Sequence, residues 1–331
     1  ENYILDTSWA NSGVLSSPVY TSSPMGGMLD SSKNLYWINY PGTLYKVDPT
    51  GKTVSTLVSG IALTSPNDVA YLPPQPQIFF VPEYESGLKV INTVATSTMP
   101  KGMTKINVYV TSAVSAGALI DWHLMGVGID SIGNIYVADT WTNEIIKFKF
   151  NMGVVGMPQA TLLKRFPISA QAGMPSGGTG LTDVAIDGSG NMYITDYGNT
   201  CVWKYNKDGV YLNKFLFDWS RLPADSNSTK APGHAGPKLI TIDPTNTYYY
   251  VADDMGFIWK FTLNGDLKAI IGKGYPTTEF LPADQWPTDN INPEGVVVDS
   301  SQAVYITDGA KRILKFIKST ALKTKGGAPR K

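Results

Sequence analysis

At 331 residues the chain is long enough to bury about three quarters of its unfolded surface, and its 27 basic and 27 acidic side chains cancel. Charged residues make up only 16% of the total, and polarity comes from Ser, Thr, Asn, Gly and Tyr, which excludes a disordered chain. No apolar run nears the ~20 residues of a membrane-crossing helix, and only 4 of the 27 basic residues are Arg, so neither a transmembrane segment nor a nucleic-acid partner is expected.

From the N-terminus, Tyr3-Ile-Leu-Asp6 is a short apolar stretch outside any repeat. A pattern then begins. Gly26-Gly-Met-Leu-Asp30 leads into Asn34-Leu-Tyr-Trp-Ile-Asn39 and Leu44-Tyr-Lys-Val47. Asp68-Val-Ala-Tyr-Leu72 leads into Gln77-Ile-Phe-Phe-Val81 and Leu88-Lys-Val90. Four clearer copies follow. Their first segments are Gly126-Val-Gly-Ile-Asp130, Asp183-Val-Ala-Ile-Asp187, Leu239-Ile-Thr-Ile-Asp243 and Gly295-Val-Val-Val-Asp299, with aspartates 57, 56 and 56 residues apart. Their second segments are Asn134-Ile-Tyr-Val-Ala-Asp139, Asn191-Met-Tyr-Ile-Thr-Asp196, Tyr248-Tyr-Tyr-Val-Ala-Asp253 and Ala303-Val-Tyr-Ile-Thr-Asp308. Each unit closes on an alternating stretch: Ile145-Ile-Lys-Phe148, Val202-Trp-Lys-Tyr205, Ile258-Trp-Lys-Phe261 or Ile313-Leu-Lys-Phe316.

Each unit reads as three or four short β-strands joined by Gly/Asn/Asp turns, the first apolar throughout as befits a strand buried on both faces. One such sheet cannot cover both its faces, whereas six around a channel can. The expected fold is all-β, a six-bladed β-propeller spanning residues 1–318, with blades starting near 24, 66, 124, 181, 237 and 293. The N-terminal stretch is left to supply the outer strand of the last blade. Met99 to Ala118, Gly153 to Gly180, Arg221 to Pro237 and Gly274 to Pro293 read as long loops on the faces of the ring. Residues 319–331 form a basic tail: Lys311 to Lys331 hold eight basic residues and no acidic one, which suits an acidic partner or a neighbouring copy.

These motifs resemble NHL-repeat propellers over roughly residues 24–318. Ser17-Pro-Val-Tyr20 and Leu35-Tyr-Trp-Ile-Asn39 are similar to the opening blade of gluconolactonase (senescence-marker-like) propellers. That second resemblance implies a divalent cation held over the channel by Glu, Asn and Asp. Here the corresponding ring is Met25, Asn67, Met125, Thr182, Lys238 and Glu294, with Asp68 and Asp183 one residue further in. Three oxygen-bearing side chains beside a lysine make a poor calcium site. Peptide-amidating lyases, also NHL-like, use three zinc-binding histidines, but this chain has two, His123 and His234, and one cysteine, Cys201. No cofactor or metal is therefore expected. Calcium or zinc enters only with the alternative, a metal-dependent lactonase-type hydrolase, and no catalytic set is assigned.

The favoured reading is a non-enzymatic propeller that binds a protein or glycan ligand, or copies of itself. Asn67, Asp68, Asp183, Lys238, Glu294, His123 and His234 are its channel-mouth candidates, and Trp9, Trp122, Trp141, Trp219 and Trp286 are aromatic residues outside the regular core positions. A first residue other than Met, the low charge and the sequon at Asn227 lead to the expectation of a secreted, glycosylated extracellular protein.

Overall fold

The computed structural model describes residues 3–11, 13–16, 23–73, 75–84, 87–95, 101–105, 107–110, 123–151, 159–168, 180–219, 236–272 and 291–319. They form six small sheets in a ring, antiparallel apart from one added edge strand, a six-bladed β-propeller. Blade four shows the plan. Its inner strand Leu181–Ile186 pairs with Met192–Asp196, then Cys201–Tyr205, then the outer strand Tyr211–Leu216. The other inner strands are Pro24–Leu29, Ala70–Leu72, Leu124–Ile129, Pro237–Ile242 and Pro293–Val298.

The hairpin between the first two strands is set by an aspartate. Asp130 accepts hydrogen bonds from the Ile132 and Asn134 amides with one oxygen, and from Asn134 Nδ2 and the Tyr136 hydroxyl with the other. Asp30 and Asp187 repeat the arrangement with Asn34 and Asn191. A carboxylate facing its own turn amides replaces the bonds that a tight reversal leaves unmade. Asp196 and Asp253, at the ends of second strands, accept from turn amides and from the indole nitrogens of Trp203 and Trp259.

The core is divided into six apolar clusters, each drawn mainly from two neighbouring blades. Phe80 and Val90 of blade two pack with Val137 and Phe148 of blade three, and Tyr193 of blade four packs with Val251 and Trp259 of blade five. The ring is closed by the two ends of the described chain. Tyr3–Leu5 pairs antiparallel with Arg312–Lys318, in register Tyr3 with Lys318, and Val14–Ser16 continues that edge. Lys260, fully buried, donates to Gln302 Oε1 at 2.7 Å and lies 3.2 Å from the Tyr3 hydroxyl, with its ammonium 3.9 Å from the centre of the Tyr248 ring. Desolvating an ammonium is costly unless hydrogen bonds and aromatic faces replace its water, and here both do. Lys315 pairs with Asp6 at 2.9 Å.

Three sequence expectations need correction. The stretch Gly153 to Gly180 is not wholly loop: it holds the nine-residue outer strand Gln159–Pro167 of blade three. Met99 to Ala118 holds Gly102–Lys105, the outer strand of blade two, and Asn107–Val110, which adds to Gln159–Pro167 in parallel. Outer strands have one solvated side and do not carry the inner-strand motif, so a search by motif passes over them. Trp9, outside the repeat in sequence, belongs to the core. It is buried, edge-on to Tyr305 at 5.8 Å, and so close to Gly51 that a Cβ there would lie 2.6 Å from its ring.

Because Tyr3 fills the seam between blades five and six, Tyr3→Ala is expected to lower unfolding free energy by about 3–5 kcal/mol in urea titration. Tyr211→Ala, at an exposed outer-strand position, should cost less than about 1 kcal/mol.

Candidate functional site

The start of each inner strand pairs with the end of its second strand, as Leu124 with Asp139 and Leu181 with Asp196, so these ends and the turns after the second strands share one face of the ring. Just inside that face five inner strands bulge in the same register: between Met25 and Met28, Leu124 and Val127, Leu181 and Asp183, Pro237 and Leu239, and Pro293 and Gly295. A bulge re-aims a side chain out of the sheet alternation. It also narrows the channel, and the residues at this level are Gly26, Asp68, Gly126, Asp183, Leu239 and Gly295.

An inner strand has no partner on its axial side, so its inward amides need acceptors. Two aspartates supply them. Asp68 Oδ1 accepts from the Val69 amide at 2.7 Å and Oδ2 from Val127 of blade three at 3.1 Å, and Gly27 of blade one donates as well. Asp183 accepts from Val184 at 2.7 Å and from Ile240 of blade five at 2.8 Å. The glycines make room. A Cβ on Gly26 would lie 2.6 Å from Asp68 Oδ1, and one on Gly126 would overlap Asp183 Oδ1. Burial pushes the Asp68 carboxyl up to about 7, against the pull of its three amide donors. Burial, reinforced by the charge of Asp68, pushes Asp183 well above the ordinary carboxyl range. Below them a cavity of about 530 Å³, lined by all six inner strands, runs to the turns at Asp30, Pro73, Pro244 and Asp299.

The ring nearer the face is held by bonds between blades. Asn67 Nδ2 donates to Leu124 O at 3.2 Å, Thr182 Oγ1 to Pro237 O at 3.1 Å, and Lys238 Nζ to Pro293 O at 3.3 Å. In each case a residue before one inner strand's narrow point bonds the first residue of the next inner strand. Lys238 also pairs with Glu294 Oε2 at 3.3 Å, and Asn292 Nδ2 donates to Glu294 Oε1 at 2.9 Å. The structure thus brings Asn67, Asp68, Asp183, Lys238 and Glu294 to one end of the channel. These residues do not fit a hard divalent cation. Both aspartates face amides with both oxygens, and an ammonium sits against Glu294. Among the described residues no three His, Cys, Asp or Glu side chains converge as metal ligands would.

His123 stands apart, where blades two and three meet. Its ring stacks on Trp141, with centroids 5.0 Å apart and planes at 24°, and meets the edge of Tyr84 at 4.7 Å. Its buried Nδ1 has no hydrogen-bond partner among the described residues, so aromatic packing holds the ring there. His234, Asn227, Trp122, Trp286 and residues 320–331 lie outside the described residues. Cys201 is buried in the third strand of blade four, and burial pushes its thiol up, away from nucleophilic use. Trp219 packs on Phe217 and Trp259.

The structure places one of the tryptophans read from sequence, Trp141, in an arc with three tyrosines that the sequence reading passed over. In blades one to four the turn after the second strand carries Tyr40, Tyr84, Trp141 and Tyr197, of which Tyr40 is 54%, Trp141 66% and Tyr197 36% exposed and Tyr84 half-buried. Tyr40, Tyr84 and Tyr197 each follow directly on the strand-ending Asn39, Glu83 or Asp196, a regularity present in the sequence once those strand ends are known.

No protein-family model and no curated protein matches the chain. Solved structures do resemble it. A streptogramin B lyase aligns with a TM-score of 0.57 and 12% identity over 95% of this chain and 97% of that one. A virginiamycin B lyase from Staphylococcus aureus gives 0.57 at 9% identity over 96% of this chain and 100% of that one. A protein of unknown function from Bacteroides thetaiotaomicron gives 0.61 at 13% identity over 96% of this chain and 75% of that one. At such identities the likeness is one of fold, the six-bladed propeller.

Two predictions follow from the axis. Gly126→Ala is expected to destabilise by more than about 2 kcal/mol, whereas Gly27→Ala, whose Cβ meets its first neighbour at an ordinary 3.7 Å, should cost under about 1 kcal/mol in the same denaturant titration. The buried aspartates also set a pH dependence. Both folded values lie above the 3.8 of a free carboxyl, that of Asp68 at about 7, so folding takes up protons over this range. Stability should therefore decline from about pH 5 to about pH 8, read as a falling Tm, with the raised carboxyl of Asp253 adding to the slope. Asp68→Asn should start lower, by about 1–3 kcal/mol for the amide left facing an NH₂, and vary less with pH.

Proposed function

We propose that this chain is a secreted, non-enzymatic, NHL-like propeller that binds partners through the face on which its inner strands begin. The observation that carries the reading is the arc of Tyr40, Tyr84, Trp141 and Tyr197, aromatic rings set at matching turns of four consecutive blades and left partly in solvent. Such side chains offer large contact area at small conformational cost and concentrate at recognition surfaces. The polar groups at the channel end are already committed to neighbouring blades, which speaks for a scaffold and against a set of catalytic residues free to move protons or hold a cation.

The basic segment after Lys318 supplies a second contact, with an acidic partner or with the acidic body of another copy, and repeated contacts of that unlike-surface kind build rings or filaments. Glycosylation at Asn227 and an extracellular location belong to the same reading. The alternative is a lactonase-type hydrolase using calcium or zinc near Asn67 and Glu294.

Both parts are open to direct test. Protein purified without chelators and given calcium or zinc should hydrolyse none of a panel of lactones. Turnover that disappears in Glu294→Ala would replace the binding reading with the hydrolase. In sedimentation velocity at low salt, truncation after Lys318 should abolish self-association. If the truncated and full chains sediment alike, the tail has no assembly role.

A further inference from the structure

We infer that the arc formed by Tyr40, Tyr84, Trp141 and Tyr197 is a binding site for a neutral oligosaccharide, an inference that rests on this face being the binding face. A pyranose ring has a face of C–H groups, weakly positive and apolar, and a rim of hydroxyls. The first suits the electron-rich face of an aromatic ring and the second needs polar neighbours. Trp141 fits the first requirement. Its indole is 66% exposed while His123 stacks against it and Tyr84 braces His123 from the side, so the platform is fixed before a ligand arrives. Tyr197 is fixed in another way, its hydroxyl donating to Asp254 Oδ2 at 2.9 Å. Ordering such rings in advance lowers the entropic cost of binding.

The surroundings argue for a sugar over an apolar or charged ligand. The turns that carry the rings are polar: Thr43 lies near Tyr40, Thr64 and Ser65 beside Tyr84, Thr140, Thr142 and Asn143 around Trp141, and Asn199 two residues after Tyr197. The rings thus stand as separate platforms among hydroxyls and amides and do not form a greasy groove. Among the described residues the lysines near the rings are paired with carboxylates, Lys238 with Glu294 and Lys89 with Glu83, and Asp254 accepts from the Tyr197 hydroxyl and the Gly236 amide. Cations already engaged by the protein give little steering to a polyanion or an acidic peptide. Repetition of a platform on consecutive blades favours an extended, repeating ligand over a single sugar, since each platform is weak alone and they add along a chain.

The test is isothermal titration of the full chain with cellohexaose, chitohexaose and maltohexaose, and separately with a proline-rich peptide, which would also stack on aromatic rings. At least one sugar should bind saturably. Trp141→Ala should weaken it at least about tenfold and Tyr40→Ala by less, while Tyr211→Ala, on an outer strand away from this face, should leave it unchanged. Trp141 is an exposed side chain, and unchanged thermal unfolding of the variant separates lost binding from lost fold. Failure of all three sugars to bind at millimolar concentration overturns the inference, as does sugar binding that Trp141→Ala and Tyr40→Ala leave intact. Binding of the peptide alone, with loss in Trp141→Ala, overturns the ligand class while leaving this face a binding surface.

Discussion

No blade of this protein has a core of its own. Each sheet is apolar on both faces, and every one of the six clusters is completed by the next blade, so a single blade would leave a face of aromatic and β-branched side chains in water. The ring is therefore the smallest unit that solves the burial problem. It creates a second problem at the axis, where six strand edges converge with inward amides. Asp68 and Asp183 answer it, each drawing on adjacent blades, and the level they occupy has room for them because Gly26 and Gly126 add no side chain there. The two carboxylates are consequently held where charge is least welcome.

This division of labour moves recognition outward. At the channel end Asn67, Thr182 and Lys238 are tied to the following blade, and Glu294 to the preceding one through Lys238. The turns after the second strands carry fewer such ties, among them Tyr197 to Asp254 and the packing of Tyr84 on His123. Their backbone geometry is set by the strand-ending Asn39, Asp139, Asp196 and Asp253, which accept the turn amides themselves. The neighbouring side chain is left free to vary, and in four blades it is aromatic. A rigid frame with variable residues at its turns is how a common fold acquires a particular partner.

The repeat was legible because inner and second strands answer to one requirement, burial on both sides, and the hairpin between them to another, an aspartate over its own turn. Both leave the same letters in each copy, as at Asp130 to Asn134 and Asp187 to Asn191. Gln159–Pro167 left no such mark, since one side of an outer strand is solvated and tolerates Leu163 and Lys164 alike. The candidates Asp68 and Asp183 were visible as carboxylates at inner-strand starts, but their partners Val127 and Ile240 lie in other blades, and nothing in local spacing announces a bond across that distance. Trp9 was misplaced for a related reason: its pocket is assembled from Gly51 and Tyr305, far away in the chain. Tyr40, Tyr84 and Tyr197 carried a readable signal only once the strand ends before them were known.

The pairing of Tyr3–Leu5 with Arg312–Lys318 joins the first and last described strands in one blade. During synthesis the early strand has no place to dock until the final hairpin has left the ribosome. The intervening blades can pack against one another in order of appearance, but the seam between blades five and six stays incomplete, with the Lys260 ammonium and the ring of Tyr250 waiting for Tyr3. Closure of the circle thus waits on the synthesis of Arg312–Lys318, and until then the blades already made must hold together with one side of that seam uncovered.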